Sequence, residues 1–229
     1  MSKLVLVTGA SGNLGKGIVE ALHQQGHSIL ATLGSDRDLG AFGHLPQVKS
    51  QILNVLDANG VNQFLEEQTA AAPIQAAVLL VGGFATGDIH HTDAAALDKM
   101  YQLNFMSAFN VVKPLLAHFE KHGGGQFVLV GTRPALVAEE GKKMFAYALS
   151  KSLIFKMAEL INAQGKDDHI TATVIVPSTI DTPPNRHAMP HADPSKWISP
   201  DDIGKTVAFV LSETGQTLRE PVIKLYNKS

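Results

Sequence analysis

Leu4-Val-Leu-Val-Thr-Gly9-Ala-Ser-Gly12-Asn-Leu-Gly15 is an apolar run of strand length that leads directly into three glycines spaced Gly-x-x-Gly-x-x-Gly. A helical pattern, Gly12–Gln25, follows without a break. Gly9 permits a tight turn, Gly12 a close backbone approach, and Gly15 close packing of helix on strand. A turn of this kind seats a pyrophosphate on the helix N-terminus, with Ser11, Asn13 and Leu14 in the same turn. A glycine turn also occurs with no ligand; its position at the first strand favours the nucleotide-binding reading.

The pattern repeats outward from that turn. Strands are expected at Leu4–Val7, Ile29–Leu33, Gln51–Val55, Ala76–Val81, Gln126–Val130, Thr171–Val176 and Val222–Leu225. Helices are expected near Val61–Ala71, Asp93–His118, Met144–Gln164 and Asp201–Ser212. Buried-type strands alternating with helices imply an α/β fold: a single-domain, Rossmann-type, doubly wound parallel sheet with helices on both faces, spanning residues 1–229. Ligands then bind outside the carboxyl ends of the strands, where the polar motifs fall. The segment Asp181–Pro200 has five prolines and little periodicity. A connection that long in a compact domain reads as a substrate lid.

Bulk composition narrows the classes. The 229 residues are 45% hydrophobic and 17% charged, with a formal net charge of -2. That balance offers no basic surface for nucleic acid or an anionic membrane. There are no cysteines, which excludes disulfides and thiolate chemistry and fits a reducing cytoplasm. The N-terminal apolar run is too short for a signal peptide, and no stretch reaches membrane-spanning length. A cytoplasmic protein is expected.

Tyr147-Ala-Leu-Ser-Lys151 places a phenol and an ammonium on one helical face. The ammonium can lower the phenol's pKa, and a phenol tuned in this way exchanges a proton with a carbonyl oxygen. With the glycine turn, the pair suggests hydride transfer involving a nicotinamide. The end of the second strand reads Thr32-Leu-Gly-Ser35-Asp-Arg37. It has no acid at its terminus, while Ser35 and Arg37 suit a 2′-phosphate, so NADP is favoured over NAD. The alternative is a solvated loop whose charges pair with one another. Asn54-Val55, after the third strand, is placed beside the adenine.

At this point the chain resembles the short-chain dehydrogenase/reductase family over nearly its whole length. The resemblance is carried by Thr8-Gly9 through Gly15, by Asn104 within Leu103-Asn-Phe-Met-Ser-Ala-Phe, by Tyr147 through Lys151, and by Pro177-Ser-Thr-Ile-Asp-Thr182. It implies that Tyr147 is the proton donor or acceptor and that Lys151 binds the nicotinamide ribose. It also implies that Asn104 holds a relay water. Cofactor contacts are implied at Gly82, Gly83, Pro177, Thr179, Ile180 and Thr182, the last beside the carboxamide or phosphates. Three departures stand out. The glycine spacing looks like the longer, sugar-modifying branch. The family's Asn-Asn-Ala-Gly is Leu80-Val-Gly-Gly83 here. The catalytic serine is absent, and Thr132 in Gly131-Thr-Arg-Pro134 either supplies the missing hydroxyl or simply ends the strand.

Pro177 through Arg186, with Met189-Pro190, Ala192-Asp193 and Trp197, looks like dihydropteridine reductase, which also carries glycines after strand four and lacks the serine. That likeness implies a carbonyl or imine substrate reduced with NAD(P)H. Trp197 would stack on a pterin, and Asn185 or Arg186 would reach its edge; equally, all three would anchor the loop. The alternatives are a 3-oxoacyl or general ketone reductase and a non-catalytic dinucleotide sensor. His90, His91, His187 and His191 lack the carboxylate cluster of a metal site, and no metal is expected. Family members usually pair through helices near 93–118 and 144–164, so a homodimer or homotetramer is implied.

Overall fold

The computed structural model describes residues 2–228. Seven parallel strands form one sheet in the order β3-β2-β1-β4-β5-β6-β7. In chain order the elements are β1 Leu4–Thr8, α1 Asn13–Gln24, β2 Ser28–Leu33, β3 Val48–Ile52, α2 Ala58–Ala71 and β4 Ala76–Leu79. Next come α3 Ala94–Tyr101, a π-helical segment Gln102–Met106 and α4 Ser107–Lys121. The chain then runs through β5 Gly125–Val130, α5 Ala138–Gly141, α6 Phe145–Gln164, β6 Ile170–Pro177, α7 Pro183–Ala188, α8 Pro200–Val210 and β7 Val222–Leu225.

The sheet separates two apolar layers. On one face Leu6, Leu30, Ala77, Leu129 and Val174 pack against α2, α4 and α6 through Phe64, Leu115, Phe119 and Ile154. On the other, Val5, Val7, Ala31, Val78 and Ile175 pack against α1 and α8 through Ile18, Leu22, Ile203 and Val207. Side chains of successive strand residues point to opposite faces, so strands buried on both sides are apolar at most positions. The α1–α8 contact is close: a Cβ at Gly204 would sit 2.7 Å from the Gly17 carbonyl oxygen.

Two boundaries differ from expectation. The third strand is Val48–Ile52, three residues earlier than Gln51–Val55. It is an edge strand paired only with β2, in the register Ile29↔Val48 to Leu33↔Ile52, so it tolerates Lys49, Ser50 and Gln51. The helix expected over Asp93–His118 contains a wide turn, in which the Ser107 amide bonds to the Gln102 carbonyl. The segment Asp181–Pro200 is not structureless. It holds α7 and a short 3-10 turn at Pro194–Lys196. Its ends are tied by Asp181 N–H to the Ile198 carbonyl at 2.8 Å and by Ile198 N–H to the Thr179 carbonyl at 3.0 Å. No helix is long and apolar enough to cross a membrane among the described residues.

Candidate active site

The glycine turn closes the β1–α1 junction at the carboxyl edge of the sheet. Gly9 has φ 65°, a conformation costly for any residue with a Cβ. A Cβ at Gly15 would lie 2.4 Å from the Ala10 carbonyl oxygen and 2.6 Å from that of Gly9. α1 begins after Gly12 with no side-chain cap. The amides of its first turn, from Asn13 and Leu14 onward, therefore lack a capping side chain, which is the setting an anion prefers. Ser11 donates its hydroxyl to Asp38 Oδ2 at 2.9 Å. The Asp36–Asp38 turn after β2 brings this carboxylate back, and Ser35 caps the turn by accepting from Arg37 N–H at 3.3 Å. Ser35 is thus a cap, and the acid beside the glycine turn is Asp38. Asn54 accepts from the Leu56 amide at 3.1 Å. Val55 is buried, and its carbonyl accepts from Asn110 Nδ2 at 2.9 Å.

The ends of β4, β5 and α6 converge next to this cradle. Asn104, 1% exposed, lies in the π-helical segment. Within this wide turn the Ser107 hydroxyl donates to the Leu103 carbonyl at 2.6 Å. Asn104 Oδ1 accepts from Gly83 N–H at 2.9 Å, and Nδ2 donates to Ser150 Oγ at 3.0 Å. Ser150 donates in turn to the Tyr147 carbonyl. The amide therefore braces the loop after β4 against α6. Gly82 must lack a side chain, since a Cβ there would lie 2.7 Å from Asn104 Oδ1 and 3.4 Å from Lys151 Nζ.

Lys151 is 7% exposed and donates from Nζ to the Val130 carbonyl at 2.8 Å. Burial lowers its pKa to about 8. The Tyr147 phenol is pushed above its ordinary value by burial and pulled partly back by a hydrogen bond with the Thr132 hydroxyl. Burial is the larger of these two causes. Thr132 is buried at the end of β5. The Tyr147 ring meets the Phe84 ring edge to face, with centroids 5.1 Å apart and planes at 74°. Phe84 and Asp38 are site residues that sequence reasoning missed.

The three residues of segment 181–200 named for substrate each have a partner within the chain. Arg186 forms a two-point pair with Asp181, Nε–Oδ1 at 2.6 Å and Nη2–Oδ2 at 2.8 Å. Asn185 Nδ2 donates to the Ile180 carbonyl at 2.8 Å. Trp197 is 7% exposed, and its carbonyl accepts from Asn227 Nδ2. These are the contacts of loop anchors. Thr182 caps α7 by accepting from Asn185 N–H. Pro177 ends β6, and Thr179 and Ile180 form the strap against Ile198. Arg133, next to Thr132, pairs with Glu140 at 2.8 Å and lies over the Tyr226 ring.

A sequence profile described as short chain dehydrogenase matches residues 3–193. The chain is 27% identical over 240 residues to an uncharacterized oxidoreductase, YmfI, of Bacillus subtilis (strain 168), covering 95% of this chain and 97% of that one. It is 25% identical over 240 residues to the acetoacetyl-CoA reductase of Paracoccus denitrificans, covering 96% and 97%. A solved structure of ElxO with NADP bound superposes with a TM-score of 0.90 at 18% identity, covering 98% of this chain and 97% of that one. At that identity the superposition speaks for the fold alone.

Proposed function

The chain belongs to the short chain dehydrogenase family, and from that premise we propose that it is an NAD(P)H-dependent reductase of a C=O or C=N bond. The observation that carries this reading is buried Lys151, which donates to the Val130 carbonyl from the helix that also bears Tyr147, beside the uncapped glycine turn. The cradle fits a dinucleotide: a Cβ at Gly15 would strike two backbone carbonyls, and α1 starts without a capping side chain. When bound, the reduced nicotinamide supplies the hydride to the substrate carbon.

The chain's own residues do the rest. Tyr147, held protonated by burial, donates its proton to the substrate heteroatom as negative charge develops there. Thr132 shares the phenol's hydrogen bond and polarises the same atom, as the missing serine would. Lys151 keeps positive charge in the pocket below pH about 8 and reaches the nicotinamide ribose. Asn104 and Ser150 position α6 against the β4 loop. The segment 181–200 serves as the lid.

The finer proposal for substrate is a dihydropteridine reductase-like activity, motivated by the Gly82-Gly83 stretch, the Pro177–Arg186 run and the absent serine. A 3-oxoacyl substrate is the second reading, favoured by the likeness to an acetoacetyl-CoA reductase. Steady-state assays with quinonoid dihydropterin and acetoacetyl-CoA under both cofactors decide between them. Turnover of neither, with cofactor bound, would reject both.

Cofactor choice depends on opposed groups. Arg37 favours a 2′-phosphate, whereas the Asp38 carboxylate beside Ser11 repels one. We propose NADP as the preferred cofactor, held back by Asp38. Asp38→Ala is expected to tighten NADPH relative to NADH by about tenfold, in line with removing one like charge. Calorimetric titration with both nucleotides checks this; an unchanged ratio would remove Asp38 from the ribose site.

We also propose that two copies pair through α4 and α6, as the resemblance implies. Phe109, Leu149, Leu153 and Leu160 are large apolar side chains exposed on those helices, Leu160 at 63%. Sedimentation is expected to show a dimer or tetramer that Leu160→Glu shifts to smaller species. A monomeric parent protein at micromolar concentration would contradict it.

A further inference from the structure

We infer that the exposed Phe84 ring is the wall against which a flat, uncharged, conjugated ring is seated beside Tyr147, an inference that rests on the reductase reading above. Phe84 is 62% exposed, although it is large and apolar and its ring meets that of Tyr147. Gly82 and Gly83 precede it; a Cβ at Gly83 would lie 2.8 Å from Leu103 Cδ1, so any side chain there would have to displace Leu103. Phe84 is therefore the first side chain beyond Val81 at the end of β4.

The backbone that presents the ring is held on both sides. Gly83 N–H donates to Asn104 Oδ1 at 2.9 Å. Three residues beyond Phe84, Gly87 N–H donates to the Lys143 carbonyl at 2.9 Å, and the Gly87 carbonyl accepts from Phe145 N–H at 2.8 Å. Phe145 begins the helix that carries Tyr147. Phe84 is thus fixed relative to the phenol rather than loosely near it, which lowers the ordering cost of seating a ligand there. At 74° the two rings form a corner, not a closed stack, and the solvent side of Phe84 is open. Aromatic rings prefer offset or edge arrangements with a third ring, so such a corner suits a planar guest.

Charge points the same way. The arginines of the loops after β5 and β6 are each matched by a carboxylate of this chain, Arg133 by Glu140 and Arg186 by Asp181. Neither arginine is left as an unpaired cation to recognise an anionic substrate, and the ammonium of Lys151 is assigned to the cofactor ribose. The substrate class is accordingly a neutral ring bearing the reducible C=O or C=N, in preference to a short aliphatic or acidic ketone.

The test compares the parent protein with Phe84→Ala, Phe84→Leu and Phe84→Tyr on quinonoid dihydropterin, acetophenone and ethyl acetoacetate. The readout is the ratio of kcat/KM for each ring substrate to kcat/KM for ethyl acetoacetate, which cancels any loss common to all. The ratio is expected to fall about tenfold in Phe84→Ala, carried by KM, to fall less in Phe84→Leu and to recover in Phe84→Tyr. An unchanged ratio, or equal recovery by Leu and Tyr, would overturn the inference while leaving the reductase reading intact. Calorimetric binding of the oxidised ring, biopterin, to the NADP-loaded protein provides the second readout. Biopterin binding that Phe84→Ala weakens, in a protein that reduces nothing, would support the aromatic wall and sink the reductase reading. No binding and no turnover would overturn both.

Discussion

Tyr147→Phe is expected to bind nicotinamide cofactor as the parent does and to lose 10²–10⁴-fold in turnover, roughly the range for removal of a general acid. The substitution deletes one hydroxyl and keeps the ring that meets Phe84, so the fold and the corner should survive. Burial holds the phenol above its ordinary pKa, with Thr132 only partly offsetting it. A phenol protonated across neutral pH is ready to donate, which suits reduction more than oxidation. Stopped-flow turnover and nucleotide titration check this together. Activity within a few-fold of the parent would remove Tyr147 from the chemistry. Loss of nucleotide binding would mean that the phenol supports the cofactor cradle instead.

Lys151→Met is expected to separate activity from stability. The folded pKa of about 8 lies below the ordinary 10.5. Below pH 8 both folded and unfolded chains carry the charge, and the fold bears the full cost of burying it. Between pH about 8 and 10.5 the unfolded chain binds a proton that the folded chain releases, so this group makes stability rise with pH through that window. The gap corresponds to about 3 kcal/mol against folding at neutral pH. Met fills similar volume without the charge but leaves the Val130 carbonyl without its donor, a loss of about 1–3 kcal/mol. The variant should therefore be at least as stable as the parent at pH 7, with a flatter stability slope above pH 8. Its turnover should fall about 100-fold, and the fall in parent activity above pH 8 should vanish with it. Denaturant melts at pH 7 and 9.5, alongside a pH–rate profile, check both parts. A variant clearly less stable at pH 7 would show that the ammonium holds the site together.

What could be read from the sequence was local in origin. The glycine turn is legible because each glycine answers a backbone demand within a few residues, and the Tyr147–Lys151 pair because helical spacing is regular. The parallel sheet followed from alternating elements, and the observed strand order has the doubly wound form. Features set by distant partners were not legible. The position of β3 depends on its pairing with β2 more than on its own polar sequence. The wide turn at Gln102–Met106 has no periodicity signal, yet it holds Asn104 against Gly83 and Ser150. Asp38 lies well past the end of β2 and returns to Ser11 through a turn that Ser35 caps. Phe84 left a trace in the sequence, an aromatic directly after two glycines at a strand end, but its contact with Tyr147 needed the fold. Trp197 and Arg186 suggested substrate contacts by residue type, and their observed partners are within the chain.

The most direct test of the account is hydride tracing. NADPH and NADH, each deuterated at C4 on one or the other face, would be incubated with the parent protein and either quinonoid dihydropterin or a ketone panel, followed by mass spectrometry of the product. The account predicts deuterium on the reduced substrate carbon or ring from one face of the cofactor, appearing roughly 10²–10⁴-fold more slowly with Tyr147→Phe. Failure of both nucleotides to bind, or nucleotide oxidation with no label in any product, would contradict it.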